Sequence, residues 1–169
     1  AARAAPQSSA PEKPAENLLP LRLQIPVQHP YLLLTRADVE KARRAAATQP
    51  SAQRSLEALV TSARDTAAKP LGDLPAKGDT AHWNVASRLV QVGLGFVFSD
   101  DVRLAEWVRD GLLAYADRYP AWPLTRGRCK TFTQSSLYEA MWAENIALAY
   151  DLVADSGAFT AGQRRHAEE

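Results

Sequence analysis

The residues best suited to meet a charged or polar ligand collect between Trp122 and Asn145. Arg126, Arg128 and Lys130 are spaced by two in a stretch, Trp122 to Lys130, that contains no acid. In an extended segment, residues two apart point to one side. Three such cations could meet carboxylates or sulfates that repeat along a polymer, arginine bidentately and lysine as a point charge. The alternative is that they pair with Glu139, Glu144 or other acids. A hydroxyl- and amide-rich turn follows (Thr131, Thr133, Gln134, Ser135, Ser136). Ser136 with Glu139 three residues later has capping-box spacing, so a helix is expected to begin there. Its unpaired N–H groups and positive dipole end would face the same way as the cations. At 100° per residue, Gln134, Tyr138 and Asn145 share a face with Met141 and Leu152. They are either hydrogen-bonded core groups or the polar wall of a cleft. Trp122, flanked by Pro120 and Pro123, could offer a flat face to a pyranose ring or pack inside. His82, at a helix start before Trp83, is a structural residue or a sugar or carboxylate contact.

Other chemistries lack their residues. No HExxH, clustered ligand spacing, P-loop or GxSxG occurs, so neither a metal site nor a cofactor is expected. Cys129 is the only cysteine, which excludes an internal disulfide and argues against a thiolate metal cluster. Its cationic neighbours could lower its pKa, but no His or second Cys lies nearby in sequence. His29 and His166 read as a local packing residue and a solvated one. With 20 Lys and Arg against 19 Asp and Glu, the bulk charge does not suggest a nucleic-acid binder. No run approaches ~18 apolar residues, so no membrane span is expected. The opening AARAAPQSSAPEKPAEN resembles the stretch that follows a secretory cleavage site, which suggests a periplasmic or extracellular protein.

Helices must position these residues. Apolar residues make up 46% of the chain, no segment alternates at period two, and an all-α fold is expected. Residues 1–28 are rich in Pro, Ala and Ser and are expected to be disordered, or to lie along the domain as a strap through Leu18–Ile25. The ordered domain is expected over 29–169. Thr35 with Asp38 caps a helix over 36–48. Pro50 breaks the pattern, and Ser51 caps a second helix over 52–68 with Leu56, Leu59, Val60 and Ala63 inward. A third helix covers 82–98, with Trp83, Ala86, Val90, Leu94 and Val97 inward. Gly93 and Gly95 cost it roughly 1 kcal/mol each and are expected to mark a close helix contact. Ser99-Asp100-Asp101 is a turn and cap for a fourth helix over 101–118, with Leu104, Trp107, Val108, Leu112 and Tyr115 inward. The helix from Ser136 is apolar on two faces, so packing on both sides is expected, with Glu144, Asp151 and Asp155 on a narrow polar edge. Thr160 and Gln163 cap a last helix, short enough to suggest that the natural chain continues. Short connections imply antiparallel hairpins.

The run from Gly127 through Gln134, Leu137, Glu139, Ala140 and Trp142, then Ala149-Tyr150-Asp151-Leu152, resembles the G-R-x…Q-x-L-x-E-A-x-W…A-Y-D-L pattern of heparinase II/III-like and alginate-lyase-like polysaccharide lyases. The opening His29-Pro30-Tyr31-Leu32-Leu33-Leu34-Thr35 is similar to the H-P-R-L-x-x-T motif of the same families. Together these cover residues 29 to 166. The resemblance implies the N-terminal part of an incomplete (α/α) toroid and β-elimination on a uronic-acid polysaccharide. The implied partners are an anionic polysaccharide or oligosaccharide and the remainder of the chain, namely later toroid helices and a β-sandwich. The catalytic Asn-His pair, Tyr and His of these families lie on those later parts. Asn84 and Asn145 are not followed by His, so no catalytic residue is assigned here. The substrate-binding candidates are Arg126, Arg128, Lys130, Gln134, Tyr138, Trp122, Asn145 and His82. The alternatives are a non-catalytic anionic-glycan binding module and a helical-repeat interaction domain. A glycoside hydrolase is disfavoured because Glu139 and Glu144 diverge on one helix.

Overall fold

The computed structural model describes residues 28–76, 81–125, 128–132 and 136–169. The expected N-terminal strap lies outside them, as do Arg126 and Gln134. Among the described residues the fold is all-α, with six helices and no strand: α1 (Arg36–Thr48), α2 (Pro50–Ala67), α3 (Ala81–Ser99), α4 (Val102–Arg118), α5 (Ser136–Val153) and α6 (Ala161–Glu168).

Local chemistry sets several of the helix starts. Thr35 and Asp38 form a reciprocal capping box, and so do Thr160 and Gln163. Asp101 caps α4 by accepting from the Arg103 N–H. The start of α2 differs from expectation. Pro50 opens the helix instead of breaking it, because the first helical position needs no N–H and proline's fixed φ already suits it.

The helices pack as a zigzag. α3 packs most heavily against α2 and α5 and also meets α4, while α4 contacts α5 and α6. Odd-numbered helices thus neighbour one another, and so do even-numbered ones. The core runs through Val85, Leu89 and Val92 of α3, Leu104, Val108 and Leu112 of α4, and Ala149, Leu152 and Val153 of α5. The expected stripe of α3 holds in part: Ala86 and Val97 are buried, but Trp83, Val90 and Leu94 are only partly so, and His82, Val85, Leu89 and Val92 are inside instead.

Gly95 meets the expectation of close approach. A Cβ at this position would stand 2.2 Å from the Ala63 Cβ on α2. At Gly93 it would stand 3.1 Å from Leu152 of α5. Gly95→Ala must separate α2 from α3, and overpacking of this kind costs about 1–3 kcal/mol. The expected result is a fall in the urea midpoint, larger than for Gly162→Ala, where a Cβ meets nothing within 4 Å.

Candidate functional site

α5 is the element on which the other segments converge. Two of its carboxylates reach off the helix, and each holds an irregular segment through backbone N–H groups. Near its C-terminal end, Asp151 is 1% exposed. It accepts from His29 Nδ1 at 2.7 Å, from the Tyr31 N–H at 2.9 Å and from the Leu32 N–H at 2.9 Å. Asp155, one turn on, accepts from the His29 N–H at 2.9 Å and pairs with Arg36 at 3.3 Å. Asp151 therefore does not belong to a solvated polar edge. An acid inside the protein needs several donors, and the His29–Leu32 segment supplies them.

At the head of α5, Glu139 plays the corresponding part. It accepts from the Lys130 N–H at 2.7 Å, the Thr131 N–H at 3.2 Å and the Tyr119 hydroxyl at 2.7 Å. Burial pushes its carboxyl upward, but the donors from Tyr119, Lys130 and Thr131 together outweigh it and hold the pKa below the ordinary value. The capping-box expectation is corrected here: none of the hydrogen bonds described for Glu139 goes to the Ser136 backbone, and the carboxylate serves the preceding loop instead.

That loop is not extended. The Thr125 N–H donates to the Cys129 carbonyl at 2.7 Å, and the Arg128 N–H donates to the Thr125 carbonyl at 3.0 Å. Closing this reversal puts Arg128 at φ +59°, a left-handed conformation costing of order 1–3 kcal/mol for a non-glycine residue. The expectation of one shared direction therefore fails for Arg128 and Lys130, while Arg126 lies outside the described residues. Arg128 is exposed and makes no ion pair among the described residues. Lys130 turns inward: its ammonium donates to the Tyr119 carbonyl at 3.1 Å and the Pro120 carbonyl at 3.0 Å, and sits 4.8 Å from the centre of the Tyr119 ring. Lys130 braces the loop and does not face a ligand.

The other candidates separate in the same way. His82 is fully buried. Its Nε2 contacts the Ala76 carbonyl at 3.1 Å and its Nδ1 the Tyr115 hydroxyl at 3.1 Å. A carbonyl only accepts, so in the neutral ring Nε2 carries the proton and Nδ1 accepts from Tyr115. Neither nitrogen is left for a sugar, and the ligand-contact expectation for His82 is corrected. Trp122 is half-buried, 5.1 Å from the His82 ring and edge-on to Tyr115 and Tyr119, so packing occupies much of its surface. Asn145 is half-exposed, and its amide donates back to the Met141 carbonyl at 3.0 Å. Tyr138 is 49% exposed, with its ring 6.1 Å from Phe132 of the loop. Leu124, Leu137 and Met141 are also exposed here. The head of α5 is therefore open on one side, contrary to the expected two-sided packing. Arg128 and Tyr138 are the two candidates among the described residues that the fold presents to solvent on this loop–helix junction.

Cys129 is 2% exposed, and burial, followed by the nearby Glu139 charge, raises its pKa. The flanking cations do not activate it, because one points outward and the other is engaged with carbonyls. The thiol is expected to react with a disulfide reagent only on unfolding, so its rate should be very low in native buffer and rise with added urea. A fast native reaction would contradict this burial. Among the described residues no group of three or more His, Cys, Asp or Glu could hold a metal ion, and no helix is long and apolar enough to cross a membrane.

No protein-family model matches the chain, and a comparison with curated proteins found no match.

Proposed function

We propose that this chain is a helical, non-catalytic portion of a polysaccharide-lyase-like protein. In this reading it holds an acidic glycan against the head of α5, and the residues that would move protons are not among those assigned here. The observation that carries this reading is the Arg128 turn. An exposed guanidinium, with no ion pair among the described residues, stands on a strained reversal whose following residues are held by Glu139, at a junction that also exposes Tyr138. An exposed arginine suits a carboxylate or sulfate, and an exposed aromatic ring suits the apolar face of a sugar. The sequence resemblance adds support. Its two motifs, far apart in the chain, meet on α5 through His29 and Asp151, and Glu139, part of the second motif, has a physical purpose in holding the loop.

The test is retention of the 169-residue chain on immobilised heparin and alginate as salt is raised, together with ultraviolet detection of unsaturated uronate on the same polymers. The expected result is salt-sensitive binding without product, weakened by Arg128→Ala and by Tyr138→Ala. Binding that is indifferent to both substitutions, or absent on every polyanion tried, would overturn the reading.

A further inference from the structure

We propose that Glu139 is a positioning residue for glycan binding: its carboxylate fixes the loop below Arg128 so that the guanidinium is presented outward. This rests on the reading of Arg128 as the anion contact. Three observations support it. The Lys130 and Thr131 N–H groups, immediately after the turn, both end on Glu139. The same carboxylate accepts from Tyr119 before the turn, and Tyr119 is itself stacked on Trp142 of α5 at 5.2 Å and 20°. Lys130 then ties its ammonium back to the Tyr119 and Pro120 carbonyls. Glu139 thus joins both ends of the loop to one rigid helix. A left-handed Arg128 is retained only where its surroundings enforce it. Released from Glu139, the turn relaxes and the guanidinium samples many directions, which raises the entropy lost on binding.

Glu139→Gln keeps the side-chain shape but sets an amide NH2 against N–H donors. The experiment is a double-mutant cycle with Arg128→Ala, read as affinity for an alginate oligosaccharide well below the unfolding temperature of each variant. Arg128→Ala is expected to weaken binding about fivefold, the equivalent of about 1 kcal/mol for an exposed ionic contact. Glu139→Gln is expected to do much the same, and the double variant no worse than either. Hydrogen exchange should show protection lost at the Lys130 and Thr131 amides of Glu139→Gln but retained at Val92 and Leu152. Tyr119→Phe removes one donor to the same carboxylate, and should give a smaller loss in the same direction if Glu139→Gln does not fold. Additive losses, or unchanged amide protection in Glu139→Gln, would overturn the positioning role while leaving Arg128 as the contact. No effect of Arg128→Ala would instead overturn the glycan reading beneath it.

Discussion

Asp151→Ala is expected to destabilise the protein by about 3 kcal/mol, the upper end of the range for leaving a buried polar partner unsatisfied. The carboxylate is 1% exposed and collects His29 Nδ1 and two backbone N–H groups. Alanine removes the acceptor for all three. The cost is moderated because Leu32 is exposed, so its N–H can find water. Asp155→Ala is the control. Its side chain is 30% exposed and its ion pairs face solvent, so a loss of at most about 1 kcal/mol is expected. Urea unfolding should show a lower midpoint for Asp151→Ala at an unchanged slope. Amide exchange should then quicken first at Tyr31 and Leu32. Equal effects from the two aspartates would mean that burial of Asp151 does not set the strength of the clamp.

The same residue shows where a single sequence stops being legible. Thr35–Asp38 and Thr160–Gln163 are local patterns, complete within four residues, and periodicity with turn residues was enough to place the helices. Asp151 lies one turn before Asp155 and reads by helical geometry as part of a polar edge. Its partners are the His29 ring, 122 residues away in sequence, and the Tyr31 and Leu32 N–H groups, 120 and 119 away, and backbone N–H groups carry no sequence signal. Glu139 misleads in a related way. Its spacing from Ser136 satisfies a capping rule, but Tyr119 and the loop after Cys129 compete for the carboxylate and hold it. Arg128 and Lys130 diverge because Arg128 leaves the extended region, and period-two reasoning has no means to anticipate a left-handed arginine. His82 was open to either reading at the sequence level. Its two ring contacts, to Tyr115 and the Ala76 carbonyl, decide it.

The second large effect is expected in alkali. Burial is the first cause that raises Tyr115, Tyr119 and Tyr150, each to about 12, with the Glu139 carboxylate adding to it at Tyr119 and the Glu168 carboxylate at Tyr150. A folded-state pKa above the unfolded value of about 10 means that the native state keeps its proton longer. The resulting stability is therefore intact below pH of about 10 and is lost as the pH rises toward 12. For Tyr115, 2% exposed and bonded to His82, a displacement of about two pH units corresponds to at most about 3 kcal/mol. Tyr119 and Tyr150 are only half-buried, and solvent screening reduces their share. Tyr138 is exposed and Tyr31 part-exposed, so their share of the tyrosinate absorbance, taken from Tyr31→Phe/Tyr138→Phe, is set aside. The remainder and the far-ultraviolet circular dichroism should then change together, in one cooperative step between pH of about 10 and 12. Tyr115→Phe removes the ionisable group while keeping the ring that packs 5.1 Å from Trp142. Its alkaline midpoint should move upward even though it loses the hydrogen bond to His82. If tyrosinate instead appeared gradually while the helices remained, the buried hydroxyl contacts around α4 and α5 would not be coupled to folding. The core beneath the Arg128 loop would then be looser than its packing implies.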